Sequence, residues 1–140
     1  MRSRCLIVIP VHDEKGYLKG VLNRITESTD EDILAIDDGS TDGSSEILEG
    51  FEPERQGYEL LRHPECKGYG STLIRGFDYS IREGYEFVLT LDGDGQHWRL
   101  VFDSRSGDMM RAARVEQGSE PSHRPAAFFG RRTPQGYPEW

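Results

Sequence analysis

The chain has 140 residues, 30% of them charged, and a formal net charge of −8, which is the composition of one soluble globular domain and argues against a general nucleic-acid binder. No stretch approaches the ~20 consecutive apolar residues of a spanning helix, so no membrane span is expected. The two cysteines, Cys5 and Cys66, make neither a CxxC pair nor a disulfide framework, and free thiols are expected.

The longest apolar run, Cys5 to Val11, follows Arg2 and Arg4 but is short for a signal peptide, so the chain is expected to be cytoplasmic. Cys5 to Ile9, closed by Pro10, has the pattern of a strand buried on both faces. Leu18, Val21, Leu22 and Ile25 fall at i, i+3, i+4 and i+7 and predict a helix. Ile33 to Ile36 predicts a second strand. Ser40, Thr41 or Asp42 can cap the next helix, which carries Ile47, Leu48 and Phe51. Tyr58 to Arg62 predicts a third strand. Gly70 to Glu83 predicts a third helix, with Leu73, Ile74, Phe77 and Ile81 on its apolar face and Gly84 as its stop. Phe87 to Leu91 predicts a fourth strand. Strands alternating with amphipathic helices predict an α/β fold, a parallel sheet with helices on both faces.

The alternation stops after His97. Residues 99–140 contain seven arginines and no lysine, with scattered Pro, Gly and Ser. Acidic residues outnumber basic ones by ten over residues 1–98, whereas basic residues are in excess by two over 99–140. The division expected is therefore a domain at 1–98 and a mostly irregular tail at 99–140, with one or two helical turns from Met109 to Val115.

Four runs at predicted strand ends carry candidate chemistry, because ligands of such sheets bind at the carboxyl ends of the strands. Asp92-Gly93-Asp94-Gly95-Gln96 places two carboxylates one residue apart, able to face one side and share a divalent cation. Mg²⁺ or Mn²⁺ suits such oxygen ligands, and Gln96 can add a neutral one. A solvated Asp-Gly turn is the plain structural alternative. Asp37-Asp38-Gly39-Ser40 offers carboxylates to a base or ribose, or is simply a capped turn. Pro10, His12, Asp13 and Glu14 end the first strand and open a helix. Acid there also suits the helix dipole, and His12 fits a packing or hydrogen-bonding role better than a metal-ligand one. Lys67-Gly68-Tyr69-Gly70-Ser71 can receive phosphate at a helix start, or can serve tight packing alone. It matches neither GxGxxG nor the P-loop.

In order and spacing, Val8 to Glu14, Ile36 to Asp42, Lys67 to Leu73 and Leu91 to His97 together resemble the family 2 glycosyltransferases. The resemblance is closest to the dolichyl-phosphate mannosyltransferase-like, polyprenyl-phosphate branch, and it covers roughly residues 4–98. It implies the GT-A fold, a Rossmann-like sheet that binds a nucleotide-sugar and a divalent metal. It places Pro10, Asp13, Glu14, Asp37, Asp38, Lys67 and Asp92 at the nucleotide-sugar. It makes Asp92 and Asp94 the DxD motif and, with Gln96, the ligands of Mg²⁺ or Mn²⁺. It implies transfer of a hexose from a UDP- or GDP-sugar to an acceptor such as a polyprenyl phosphate, with inversion, in glycan or cell-envelope biosynthesis. A peripheral position at the inner face of a membrane would follow.

The departures are specific. His12 and Asp13 replace the usual aromatic and Asn, and Cys66 replaces an Asn. Beyond His97 the family's acceptor half is not recognisable. None of Asp103, Asp108, Glu116, Glu120 or Glu139 sits in a base motif, so no catalytic residue is assigned. The alternative expectation is an inactive truncated or frameshifted fragment that at most binds nucleotide and metal. A phospho-receiver domain would need an Asp after the third strand, where Arg62-His63-Pro64 stands.

Overall fold

The computed structural model describes residues 5–53, 57–91, 97–103 and 109–116, with side chains described through Leu91. In chain order the elements are β1 (Cys5–Val11), α1 (Lys15–Ser28), β2 (Asp32–Asp38), α2 (Ser44–Glu49), β3 (Tyr58–His63), α3 (Tyr69–Glu83), β4 (Phe87–Leu91), β5 (His97–Asp103) and β6 (Met109–Glu116). They form one six-stranded sheet in the order β3-β2-β1-β4-β5-β6. The pairs β1/β2, β1/β4 and β2/β3 are parallel, while β4/β5 and β5/β6 are antiparallel.

The expected α/β fold with helices on both faces is what forms. Period-two alternation of the apolar strands supplies two core layers. Cys5, Ile7, Ile9, Val11, Ile33, Ala35, Phe87, Leu89 and Leu91 pack on one face with Leu18, Val21, Leu22 and Ile25 of α1 and Leu48 of α2. Leu6, Val8, Leu34, Ile36 and Val88 pack on the other face, against Phe77 and Tyr79 of α3. Each fully buried Leu or Ile here contributes roughly 1.5–3 kcal/mol.

Three expectations are corrected. The tail is not irregular throughout: β5 and β6 extend the sheet where loop and a short helix were expected, although residues 117–140 lie outside the described ones. Met109–Glu116 has little side-chain alternation and owes its strand to pairing with β5, whereas His97–Asp103, paired with β4, does alternate, with Trp98, Leu100 and Phe102 at period two. Pro10 does not end β1, which runs on to Val11.

The third correction concerns α3. Its buried residues are Thr72, Gly76 and Ser80, whereas Ile74 and Ile81 are 62% and 55% exposed. The reason is distance. A Cβ built at Gly76 would lie 2.8 Å from Val8 Cγ1 and 3.1 Å from Val8 Cγ2. The helix rests so close to β1 that only small side chains fit beneath it, and the larger apolar residues are turned aside.

This close approach predicts opposite outcomes for two Gly-to-Ala changes. Gly20 in α1 has nothing within 4 Å of its Cβ position, so Gly20→Ala gains up to about 1 kcal/mol of helix propensity. Gly76→Ala gains the same term but meets stiff, β-branched Val8, and overpacking costs roughly 1–3 kcal/mol. Urea unfolding is expected to show a raised midpoint for the first variant and a lowered one for the second. An unchanged or raised midpoint for Gly76→Ala would contradict the tight α3–β1 contact.

Candidate functional site at the carboxyl edge of the sheet

Because β1 to β4 are parallel, Val11, Asp38, His63 and Leu91 all end on one edge of the sheet. The strand order reverses at β1, which lies between β2 and β4, and such a reversal parts the loops on either side. Pro10 adds to the parting. The β1–β4 ladder ends at Val8↔Thr90, but the β1–β2 ladder continues to Val11↔Asp37. A residue with no amide to donate thus stands where β1 has already left β4.

Asp37 and Asp38 are both buried, at 2% and 4% exposure. Adjacent residues in a strand point to opposite faces, and the hydrogen bonds follow that rule. Asp37 turns toward α2, where Oδ1 accepts from the Ser40 amide at 3.0 Å and Oδ2 from the Ser45 hydroxyl. Asp38 turns toward α3. Its Oδ1 accepts from the Lys67 amide at 2.8 Å and lies 2.7 Å from His63 Nδ1. Its Oδ2 accepts from the Gly68 amide at 2.9 Å and faces the Cys66 thiol at 3.4 Å. Burial pushes the Asp38 pKa up. The Lys67 amide, the His63 ring, the Gly68 amide and the Cys66 thiol outweigh that effect and hold it at about 2.

The loop after β1 is tied to the loop after β2. The Asp13 amide donates to Ser40 Oγ at 3.1 Å, and Asp13 Oδ1 accepts from the Thr41 amide at 2.7 Å. Asp13 has a φ of 49°, a left-handed conformation uncommon outside Gly, Asn and Asp. The Glu14 amide donates to Ser44 Oγ at 3.0 Å and the Lys15 amide to Asp42 Oδ2 at 3.0 Å. The N-terminus of α1 is therefore capped from another segment, because Glu14 itself makes no side-chain cap. Asp42 also accepts from the Ser44 hydroxyl and amide, and the hydroxyl leads the effects that lower its pKa.

The structure thus brings Pro10, Asp13, Glu14, Asp37, Asp38 and the Lys67 amide to one edge, but it does not put the Asp37 and Asp38 carboxylates on one face. Asp92, Asp94 and Gln96 lie outside the described residues; β4 carries the chain to Leu91, the residue before them. Three participants, His63, Ser44 and Ser45, were not singled out from sequence. His63 sits beside Asp38 because β2 and β3 pair Asp38↔His63, a register that composition does not reveal. Ser44 and Ser45 were simply part of a helix start. Gly39, at φ 70°, allows the closest loop contact, since a Cβ there would lie 2.6 Å from the Cys66 amide nitrogen.

A doubly wound α/β domain with its polar residues gathered at the carboxyl edge is a ligand-binding architecture. The Glycosyl transferase family 2 pattern matches residues 6–99, and the chain belongs to that family, with its GT-A fold. It is 30% identical to the polyprenol monophosphomannose synthase of Mycolicibacterium smegmatis over 99 residues, 68% of this chain and 37% of that protein. It is 28% identical to the undecaprenyl-phosphate mannosyltransferase of Micrococcus luteus over 123 residues, 84% of this chain and 51% of that one. A Methanococcus voltae UDP-N-acetylglucosamine--dolichyl-phosphate N-acetylglucosaminyltransferase is 27% identical over 103 residues, 65% of this chain and 41% of the other. The chain spans between about a third and a half of these relatives. Among the described residues no helix is long and apolar enough to cross a membrane.

The Asp38 clamp makes a prediction about acid. Its folded pKa, about 2, lies below the ordinary 3.8, so its stabilisation is whole above pH 3.8 and is lost as pH falls toward 2. Asp38→Asn offers one acceptor oxygen in place of two and turns an NH₂ toward donors. It is expected to cost about 2 kcal/mol near neutral pH and to flatten the stability profile across that acid window. Denaturant titrations from pH 6 to pH 2 read both effects. An equally steep acid limb in the variant would remove Asp38 from this role.

Proposed function

We propose that this chain is the donor-binding part of a glycosyltransferase that moves a hexose from a UDP- or GDP-sugar to a lipid phosphate, with inversion. The observation that carries this reading is the gathering of three loops, 12–14, 39–43 and 64–68, at one sheet edge inside the stretch that matches the family. The names of the relatives support a polyprenyl-type phosphate acceptor.

Within this reading Pro10, Asp13, Glu14 and Lys67 border the nucleotide-sugar. Asp37 and Asp38 act on it through the loops they hold. Asp38 fixes the start of α3, where amides and Lys67 can receive phosphate oxygens. By the resemblance, Asp92, Asp94 and Gln96 offer hard-oxygen ligands suited to Mg²⁺ or Mn²⁺, and Asp92 is also assigned to the donor. When bound, that cation would supply positive charge to the diphosphate leaving group. A second reading, binding of the donor without sugar transfer, rests on the sequence of residues 99–140, which carries no recognisable base motif.

UDP or GDP with Mn²⁺ at millimolar concentration is expected to raise the melting temperature. A ligand at a hundredfold its Kd adds about 2.7 kcal/mol. Asp94→Ala is expected to abolish the metal-dependent part of the rise. Calorimetry showing no nucleotide binding with either metal would overturn the site. A panel of UDP- and GDP-sugars with a polyprenyl phosphate then separates the two readings, since sugar transfer supports the enzyme and binding without transfer supports donor binding alone.

A further inference from the structure

We infer that His12, Asp38 and Cys66 form a zinc site at the mouth of β2. A ring nitrogen of His12, a carboxylate oxygen of Asp38 and Sγ of Cys66 all lie within 4.8 Å of one another. The three come from different segments: the loop after β1, the end of β2 and the β3–α3 loop. A thiolate and an imidazole beside one carboxylate select Zn²⁺ over Mg²⁺ or Mn²⁺, which prefer all-oxygen sets. The site differs in its chemistry from the hard-oxygen set of Asp92, Asp94 and Gln96, and it does not depend on the proposed sugar donor.

The distances suit the ion. Tetrahedral zinc with bonds of 2.0–2.3 Å holds its ligands about 3.3–3.8 Å apart. Cys66 Sγ is already 3.4 Å from Asp38 Oδ2. The remaining closure, about 1 Å, falls on His12 and Cys66, whose side chains are solvent-accessible and able to adjust.

The surrounding bonds orient the ligands. The Asp38 carboxylate is held in place by His63 and by the Lys67 and Gly68 amides. His12 Nδ1 lies 2.8 Å from the Asp38 carbonyl oxygen. That oxygen can only accept, so Nδ1 donates this bond and Nε2 is the nitrogen left to bind a metal. Such outer contacts fix a metal-binding histidine in the required tautomer. Asp13 Oδ2 stands 3.5 Å from Nε2, and water or this carboxylate can take the fourth position. On binding, Cys66 loses its proton to solvent, and an S–Zn–O bridge replaces the thiol-to-carboxylate hydrogen bond.

The test uses the reduced full chain without nucleotide. Titration with Co²⁺, a spectroscopic substitute for Zn²⁺, is expected to give a 1:1 complex with a thiolate-to-metal band in the near ultraviolet. Zn²⁺ should displace the Co²⁺. Cys66→Ser should abolish the band, and His12→Ala should weaken binding at least about tenfold. Alkylation supplies a second measurement on the unaltered chain, because Cys5 is buried and Cys66 is the exposed thiol. Zn²⁺ should slow iodoacetamide labelling of Cys66, and that protection should be lost in His12→Ala. A band that survives Cys66→Ser, no band at all, or labelling unaffected by Zn²⁺ would overturn the site.

Discussion

The carboxylate of Asp38 is the contact on which the carboxyl edge depends. It is buried at the end of a central strand, where an ionised group is tolerable only if its oxygens are fully engaged. Here the engagement is with amides of residues 67 and 68, a histidine of the adjacent strand and a thiol. These donors all belong to β3 or to the turn that opens α3, so one side chain sets where that turn lies. The tight passage of Gly39 against residues 65 and 66 completes the same junction through backbone alone. Burial by itself would favour the neutral acid. The donors reverse that preference, so the charge and the loop geometry sustain one another.

Two neighbouring acids do unlike work because a strand alternates. Asp37 organises the α2 side of the sheet and Asp38 the α3 side, and each helix start is fastened to the same strand end. Asp13 and Asp42 then join α1 to this assembly through amides. The edge is thus a continuous polar mesh laid over an apolar double layer. Its residues look like ligand-binding acids in the sequence, and many of them are also the fasteners of the loops.

Much of the first 91 residues was legible because the local pattern and the tertiary demand agree. The unbroken run at Cys5 to Ile9 and the helical spacing of Leu18, Val21, Leu22 and Ile25 are satisfied by burial of those same residues. The pattern misled for α3, where apolar spacing pointed to Ile74 and Ile81 and the sheet instead took Thr72, Gly76 and Ser80. Close helix–sheet approach is a property of the pair and leaves little trace in either partner. Met109–Glu116 escaped for a similar reason, since its strand character rests on pairing, whereas the period-two Trp98, Leu100 and Phe102 of His97–Asp103 were legible. At the site, the acidic motifs located the edge, but the Asp38↔His63 register and the division of Asp37 from Asp38 needed three dimensions.

The antiparallel pair β5–β6 has a consequence for self-association. Without it, β4 would be the free margin of the sheet, a five-residue strand, Phe87–Leu91, with no charged side chain. An uncharged apolar margin is a template for strand addition by another molecule. With β5 and β6 in place the margins become β3 and β6. β3 carries exposed Glu59 and Arg62, the latter paired with Glu49, and the sequence of β6 contains Arg111, Arg114 and Glu116. Charges at both margins discourage edge-to-edge pairing, so this added pair places the most adhesive strand of the domain in the interior of the sheet.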